Sequence, residues 1–256
     1  MTEHVLVDRE AGVLTLRLDR PDKKNALTPA MYSALADALV HAGTDPQVRV
    51  VVITGGPDCF TSGNDIDDFL HTPPVDQSSP VFLFMWALFD CRKPVVAAVA
   101  GPAVGIGTTL LLHCDLVYVA QDATLRMPFV NLGLCPEYGA SLIVPRLVGH
   151  ARASRLLLLS EAFTGQQAAD WGIASEALPN GPTALARAQE AARALAALAP
   201  GAVTDSKRLA RSPGREELRQ VIVDEGAVFA ERLRSPEAVE ALSAFVERRA
   251  PDFSGF

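Results

Sequence analysis

Lys93-Pro94-Val95-Val96-Ala97-Ala98-Val99-Ala100-Gly101-Pro102-Ala103-Val104-Gly105-Ile106-Gly107 is the stretch on which the architecture turns. From Pro94 to Leu112 no side chain is charged, and Gly101 with Gly105 has the GxxxG spacing of packed membrane helices. Pro94, Gly101, Pro102, Gly105 and Gly107 interrupt the stretch too often for one continuous span. It reads instead as a buried strand, Val95–Val99, then a tight turn and a helix starting near Gly107. Gly105-Ile106-Gly107 also has the outline of a dinucleotide loop, but Leu110 stands where the third glycine belongs. There is no Walker A sequence and no Gly-x-Ser-x-Gly elbow.

The flanking chain repeats the plan. Val48–Ile53 is an apolar run closed by Gly55-Gly56-Pro57, as in a strand covered on both faces. A helical stretch over Val81–Phe89 precedes Val95–Val99, and Leu116–Val119 begins a third unit. Upstream, Val5–Val7 and Val13–Leu18 flank Asp8–Gly12 as a hairpin, and Thr28-Pro29 starts a helix carrying Met31, Leu35 and Leu39. Strands alternating with helices predict an α/β class built of ββα units, with no period strict enough to be a sequence repeat. Beyond about residue 182 the pattern is helical: Thr183–Ala199, Gly201–Arg211, Glu216–Leu233 and Pro236–Arg249. The chain thus divides into a core over 1–195 and an all-helical region over 196–256. The latter is a lid, an oligomer interface or a cap on the core.

The 256 residues, 49% hydrophobic and 21% charged, exclude a disordered or fibrous chain. Thirty acidic against twenty-three basic side chains give −7, which argues against nucleic acid as a partner. Cys59, Cys91, Cys114 and Cys135 form no CxxC pair and are read as reduced thiols, which points to the cytoplasm. Met1–Glu10 shows no secretory or transit pattern, and Ser254-Gly255-Phe256 is no peroxisomal address. His113 beside Asp115 has no third partner in view and reads as a core histidine.

Two turns carry chemical interest. In Phe60-Thr61-Ser62-Gly63-Asn64-Asp65-Ile66 and in Gly101–Gly107, a glycine precedes a helical turn, so the backbone N–H groups of Asn64 and Ile106 can be left free. Converging on one point, they would receive an oxyanion; the sequence leaves open whether they converge or are merely turns. In Asn131–Ala140, Glu137 lies between Pro136 and Gly139 in apolar surroundings. It is either a solvated loop glutamate or a desolvated carboxylate able to carry protons.

In these residues the chain resembles the crotonase, or enoyl-CoA hydratase/isomerase, superfamily over nearly its whole length. Asp19-Arg20-Pro21, Asn25-Ala26-Leu27, Phe60–Asp65, Lys93–Gly105, Cys114-Asp115 and the tail from Ser235-Pro236-Glu237-Ala238 through Ala244–Arg249 stand in the family's order. The resemblance implies a crotonase-like spiral of ββα units with a helical C-terminal region for trimerisation or as a lid. It implies a coenzyme A thioester as partner, no separate cofactor, no metal, and a homotrimer or dimer of trimers. Asn64 and Ile106 would then supply the oxyanion hole. Ser62, Gly63, Asp65, Ile66, Gly105 and Phe129 would lie at the substrate, with Asp65 mainly a cap and scaffold residue.

The two glutamates of hydratases would fall at Thr109 and Phe129, neither of which titrates. Ser62–Asp65, Gly101–Ile106 and Leu134-Cys135-Pro136-Glu137-Tyr138-Gly139 look like Δ3,Δ2-enoyl-CoA isomerases of the peroxisomal type, whose single catalytic glutamate aligns with Glu137. Lys23 or Lys24 is expected at the nucleotide end of coenzyme A, with Arg20, Lys207, Arg208 and Arg211 as further cations. The competing readings are hydration or other crotonase chemistry, and a non-catalytic acyl-CoA- or RNA-binding homologue. Because the oxyanion donors are backbone groups, Asn64→Ala is expected to be tolerated.

Overall fold

Ala11 and Gly12, with φ of +48° and +83°, form the two-residue loop between β1 (Val5–Glu10) and β2 (Val13–Leu18). Left-handed backbone at both positions matches the twist of the antiparallel pair, whose register runs from Val5↔Leu18 to Glu10↔Val13. Asp8, Arg9 and Glu10, expected in the turn, therefore belong to the strand; β1 is an edge strand, exposed after Val5, where polar side chains are at home. The computed structural model describes residues 4–71, 73 and 76–256. The leader reading of Met1–Glu10 thus falls partly outside the described residues.

Thr28 caps α1 (Pro29–Thr44), its hydroxyl accepting the Met31 N–H at 3.3 Å, and the helix buries Met31, Tyr32, Leu35 and Leu39. There follow β3 (Val50–Thr54), α2 (Ile66–His71), α3 (Pro80–Phe89), β4 (Val95–Val99), β5 (Pro102–Val104) and α4 (Ile106–Thr109). Next come β6 (Leu116–Ala120), β7 (Thr124–Arg126), α5 (Ala140–Val148), α6 (His150–Leu158), β8 (Phe163–Thr164), α7 (Gly165–Asp170) and β9 (Glu176–Leu178). Four helices close the chain: α8 (Gly181–Ala197), α9 (Pro200–Arg211), α10 (Arg215–Arg232) and α11 (Pro236–Glu247).

The main sheet has the order β1-β2-β3-β4-β6-β9, parallel from β2 onward, and a smaller sheet has the order β5-β7-β8. Every residue of β3 and β4 is buried, because both faces of the sheet are covered. Val51, Ile53, Val95 and Ala97 enter one core with Leu35 and Leu39; Val50, Val52, Val96 and Ala98 pack against Ala188, Ala191 and Ala192 of α8. The α8 alanines let that helix lie close to the strands. The α/β class with a helical C-terminal region is therefore present as expected.

Boundaries differ for local reasons. Val48 stays outside β3 because its N–H turns back to the Asp45 carbonyl at 3.2 Å. The helix expected to run to Ala199 ends at Ala197, with Leu198 extended ahead of Pro200. The last helix stops at Glu247 because Arg248 is left-handed, with φ of +56°. The uncharged stretch from Pro94 is broken into β4, β5, α4 and a 3₁₀ turn over Leu110–His113. Among the described residues no helix is long and apolar enough to cross a membrane.

Candidate active site

Thr61 and Ala103 bring the two glycine turns together. They form a parallel bridge in which the Thr61 N–H donates to the Pro102 carbonyl and the Val104 N–H to the Thr61 carbonyl, each at 3.0 Å. Asn64 and Ile106 each stand three residues beyond this bridge. Both chains turn at a left-handed glycine just before, Gly63 at φ +93° and Gly105 at φ +57°. A Cβ on Gly63 would stand 2.8 Å from the Val104 carbonyl oxygen, so the close approach requires glycine. Leu27 brackets Asn64 from the other side, donating to the Gly63 carbonyl at 2.8 Å and accepting the Asp65 N–H at 3.0 Å. The Gly105 N–H goes to the Arg126 carbonyl at 2.9 Å, while Ile106 opens α4. Among the described residues the Asn64 and Ile106 N–H groups have no acceptor, and an unsatisfied donor at a glycine turn is of the kind that suits an oxyanion.

Buried polar contacts hold this pair of turns. Asn25, 2% exposed, accepts the Arg20 N–H at 2.8 Å and donates from Nδ2 to the Cys59 and Phe60 carbonyls at 3.1 Å; its own carbonyl accepts the Thr61 hydroxyl at 2.6 Å. The Arg20 guanidinium pairs with the Asp65 carboxylate at 2.6 Å, and Asp65 also receives the Asp67 N–H. Burial alone would raise the Asp65 carboxyl, but the Arg20 hydrogen bond and charge hold it below its ordinary value. Arg20 is thus committed to the loop and Asp65 acts as scaffold.

Tyr32 was not legible as a site residue: in sequence it is one more position on the buried face of α1. Its hydroxyl donates to Asn64 Oδ1. Burial first, and the neighbouring Glu137 charge second, push the phenol well above its ordinary value. The expected tolerance of Asn64→Ala is therefore corrected, since that change strands a buried hydroxyl. We expect Asn64→Ala to cost about 1–3 kcal/mol by denaturant unfolding, with part of the loss recovered in Asn64→Ala/Tyr32→Phe. An additive double variant would contradict the coupling.

Glu137 is buried, 6% exposed. It lines a small pocket with Phe69, Phe82, Met85, Ile222 and Phe229, in which the open space of about 10 Å³ is close to that of a single water. Burial, and after it the charge of Glu225, push its pKa up to about 8; the nearby Thr109 hydroxyl pulls weakly the other way. Glu137 Oε1 and Thr109 Oγ1 are both buried without a hydrogen-bond partner among the described residues. An unpartnered carboxyl oxygen in an apolar pocket is suited to take and return a proton.

The turn after Glu137 is stiff. Tyr138 and Gly139 are left-handed at φ +58° and +76°, the Tyr138 hydroxyl donates to the Met85 carbonyl at 2.7 Å, and its ring stacks on His113 at 3.6 Å. His113 lies 2.7 Å from the Tyr138 carbonyl through Nε2, and burial lowers its pKa to about 3, so it stays neutral and structural.

A groove of about 640 Å³ runs past the two turns. Ser62, Gly63, Asp65, Ile66, Gly105 and Phe129 line it, as does Lys23, and Phe69 and Phe229 line both it and the Glu137 pocket. Lys24 instead supports the loop, its carbonyl accepting the Ser62 N–H at 2.9 Å. Lys207 and Arg211 are corrected: they pair with Asp115 at 2.7 and 2.9 Å, and they line a separate pocket with Arg208. The groove's other cations are Arg126, Arg248 and Arg249, which the sequence did not single out.

Residues 8–255 match the family model described as Enoyl-CoA hydratase/isomerase. The chain is similar to Enoyl-CoA delta isomerase 2 of Rattus norvegicus, 35% identical over 251 residues that make up 96% of this chain and 64% of that protein. It therefore spans less than two thirds of that relative's length. It is also similar to the 2,3-dehydroadipyl-CoA hydratase of Escherichia coli (strain K12), 32% identical with 98% of each chain covered. Among solved structures, that of Pseudomonas aeruginosa OdaA is 63% identical, with a TM-score of 0.95 over 96% of this chain and 100% of that one.

Proposed function

The chain belongs to the enoyl-CoA hydratase/isomerase family, and on that premise we propose that it is a Δ3,Δ2-enoyl-CoA isomerase with Glu137 as its proton carrier. The observation that carries the reading is the solitary acid of the apolar pocket: among the described residues Glu137 is the one carboxyl that lines it. Hydration by a pair of carboxylates needs a second acid to hold and activate water, and Thr109 and Phe129 cannot titrate.

An isomerase needs one. The Glu137 carboxylate removes a proton from C2 of a 3-enoyl thioester, and the electrons move into the carbonyl. The dienolate oxygen is held by the Asn64 and Ile106 N–H groups. Glu137 then returns its proton to C4, leaving the double bond between C2 and C3. Phe69, Phe129 and Phe229 keep water from the intermediate; Phe229 meets the other two rings edge-on at 6.3 and 6.5 Å. Lys23, with Arg126 and Arg248 along the groove, offers positive charge to the coenzyme A phosphates.

All four cysteines are free thiols, which supports a reducing, cytoplasmic setting. A homotrimer or dimer of trimers belongs to the same reading, and Val239, Phe245 and Val246 of α11 expose apolar surface that partner copies would cover. The region 196–256 would then serve assembly and close the site. The test is turnover of a 3-enoyl-CoA and a 2-enoyl-CoA side by side. Isomerisation should dominate. Hydration that survives Glu137→Gln with no isomerisation would overturn the proposal, as would tight thioester binding without turnover of either compound.

A further inference from the structure

Glu225 is a second buried carboxylate, 8% exposed, that the proton-transfer chemistry does not use. It comes from the middle of α10 and reaches the turn after Glu137, where Oε2 accepts the Gly139 N–H at 2.5 Å and Oε1 the Ser141 N–H at 2.8 Å. These donors are the cap and second residue of α5, whose first-turn N–H groups have no partner within the helix. The contact leaves both oxygens bonded and favours the charged form. Burial raises the Glu225 carboxyl, and the bonds from Ser141 and Gly139 draw it back.

We propose that Glu225 is a positioning residue for Glu137, its carboxylate clamping the left-handed Tyr138-Gly139 turn that aims Glu137 and placing a buried like charge beside it. The proposal rests on the reading of Glu137 as the proton carrier. It makes α10 part of the site's chemistry: packing of the C-terminal helices decides both where the carboxyl points and how firmly it holds its proton.

The charged and titratable neighbours are few. Around Glu137 stand Glu225 from α10 and Tyr32 from α1, with the Cys135 thiol on its own loop. Around Glu225 stand Cys135 and Glu137; Arg232 of α10 is turned to the Gly133 carbonyl at 3.0 Å. Among the described residues no cation pairs with Glu137 or with Glu225, which lies behind the turn and outside the pocket lining, so the mutual repulsion is left unrelieved. A glycine at position 139 also matters to the clamp, because a Cβ there would lie 2.4 Å from the Leu218 side chain of α10.

The experiment titrates Glu137 directly, by carbon NMR of protein labelled at the glutamate carboxyl carbon, with the resonance assigned by its loss in Glu137→Gln. In the parent protein Glu137 should titrate near 8. In Glu225→Gln, which removes the charge and keeps one acceptor oxygen while turning an amide NH2 toward the other N–H, the Glu137 midpoint should fall by about one pH unit. An unmoved midpoint overturns the proposal. In Glu225→Asp, which keeps charge and loses reach, the midpoint should stay within about half a unit while kcat for enoyl-CoA falls about tenfold. Parent-like turnover there overturns the clamp, and this variant decides the matter should Glu225→Gln not fold. Failure of the underlying reading looks different: Glu137→Gln would remain an active isomerase whatever the midpoints do.

Discussion

Glu137→Gln should lower the isomerisation of a 3-enoyl-CoA by about 10⁴-fold, with thioester affinity changed little. General acid–base catalysis by one positioned group contributes typically about 10²–10⁴-fold, and here the same carboxyl performs both proton transfers. The parent enzyme carries a pH signature of this group. Abstraction at C2 needs the carboxylate, so with a pKa of about 8 kcat/KM should rise as pH increases through that value. At pH 7 roughly a tenth of the molecules are in the reactive form. A pH-independent rate between 6 and 9 would remove Glu137 from the role.

The same group sets a stability cost with a defined sign. Between pH 4.5 and about 8 the folded chain keeps a proton on Glu137 that the unfolded chain has released, so stability falls as pH rises through that window. At about 1.4 kcal/mol per unit the full penalty above pH 8 is of the order of 5 kcal/mol. Glu137→Gln, which never ionises, should therefore melt at a higher temperature than the parent at pH 9 and close to it at pH 5. An inactive variant that is more stable at high pH is the combination expected of a desolvated carboxyl that works by ionising.

Ile106→Pro should cost about 10²–10³-fold in kcat by deleting one backbone donor to the developing oxyanion. Position 106 is the first residue of α4, where proline's missing N–H breaks no helical hydrogen bond and its fixed φ suits the helix start. The loss of the fully buried side chain will lower stability by about 2–4 kcal/mol, so the assay must be read at a temperature where unfolding curves show the variant native. Ile106→Val is the control. It keeps the N–H and most of the packing, and its kcat should stay within about twofold of the parent. Equal losses in the two variants would assign the effect to packing and dismiss the oxyanion role.

Much of the architecture is legible because apolar runs have few ways to be buried. Val50–Thr54 and Val95–Val99 carry no polar face, which demands a sheet covered on both sides, and glycine with proline after each run demands a turn. Boundaries slipped where one backbone bond decided them, as at Val48 and Leu198. Basic residues were the poorest guide. Lys207 and Arg211 on a helix look the same in sequence whether they face a phosphate or, as they do, the Asp115 carboxylate.

By itself the sequence determined which groups could act: two glycine turns that can leave an N–H free, and one carboxyl set between Pro136 and Gly139. Local spacing suffices for that, because φ preferences and helix starts are properties of a few adjacent residues. Only the tertiary structure decided what surrounds those groups. The Thr61–Ala103 pairing joins the two glycine turns, the Tyr32 hydroxyl holds the Asn64 side chain, and Glu225 arrives on a helix 86 positions after Gly139. Desolvation and like-charge repulsion depend on what surrounds a group in space, so the raised pKa of Glu137 is a product of the fold.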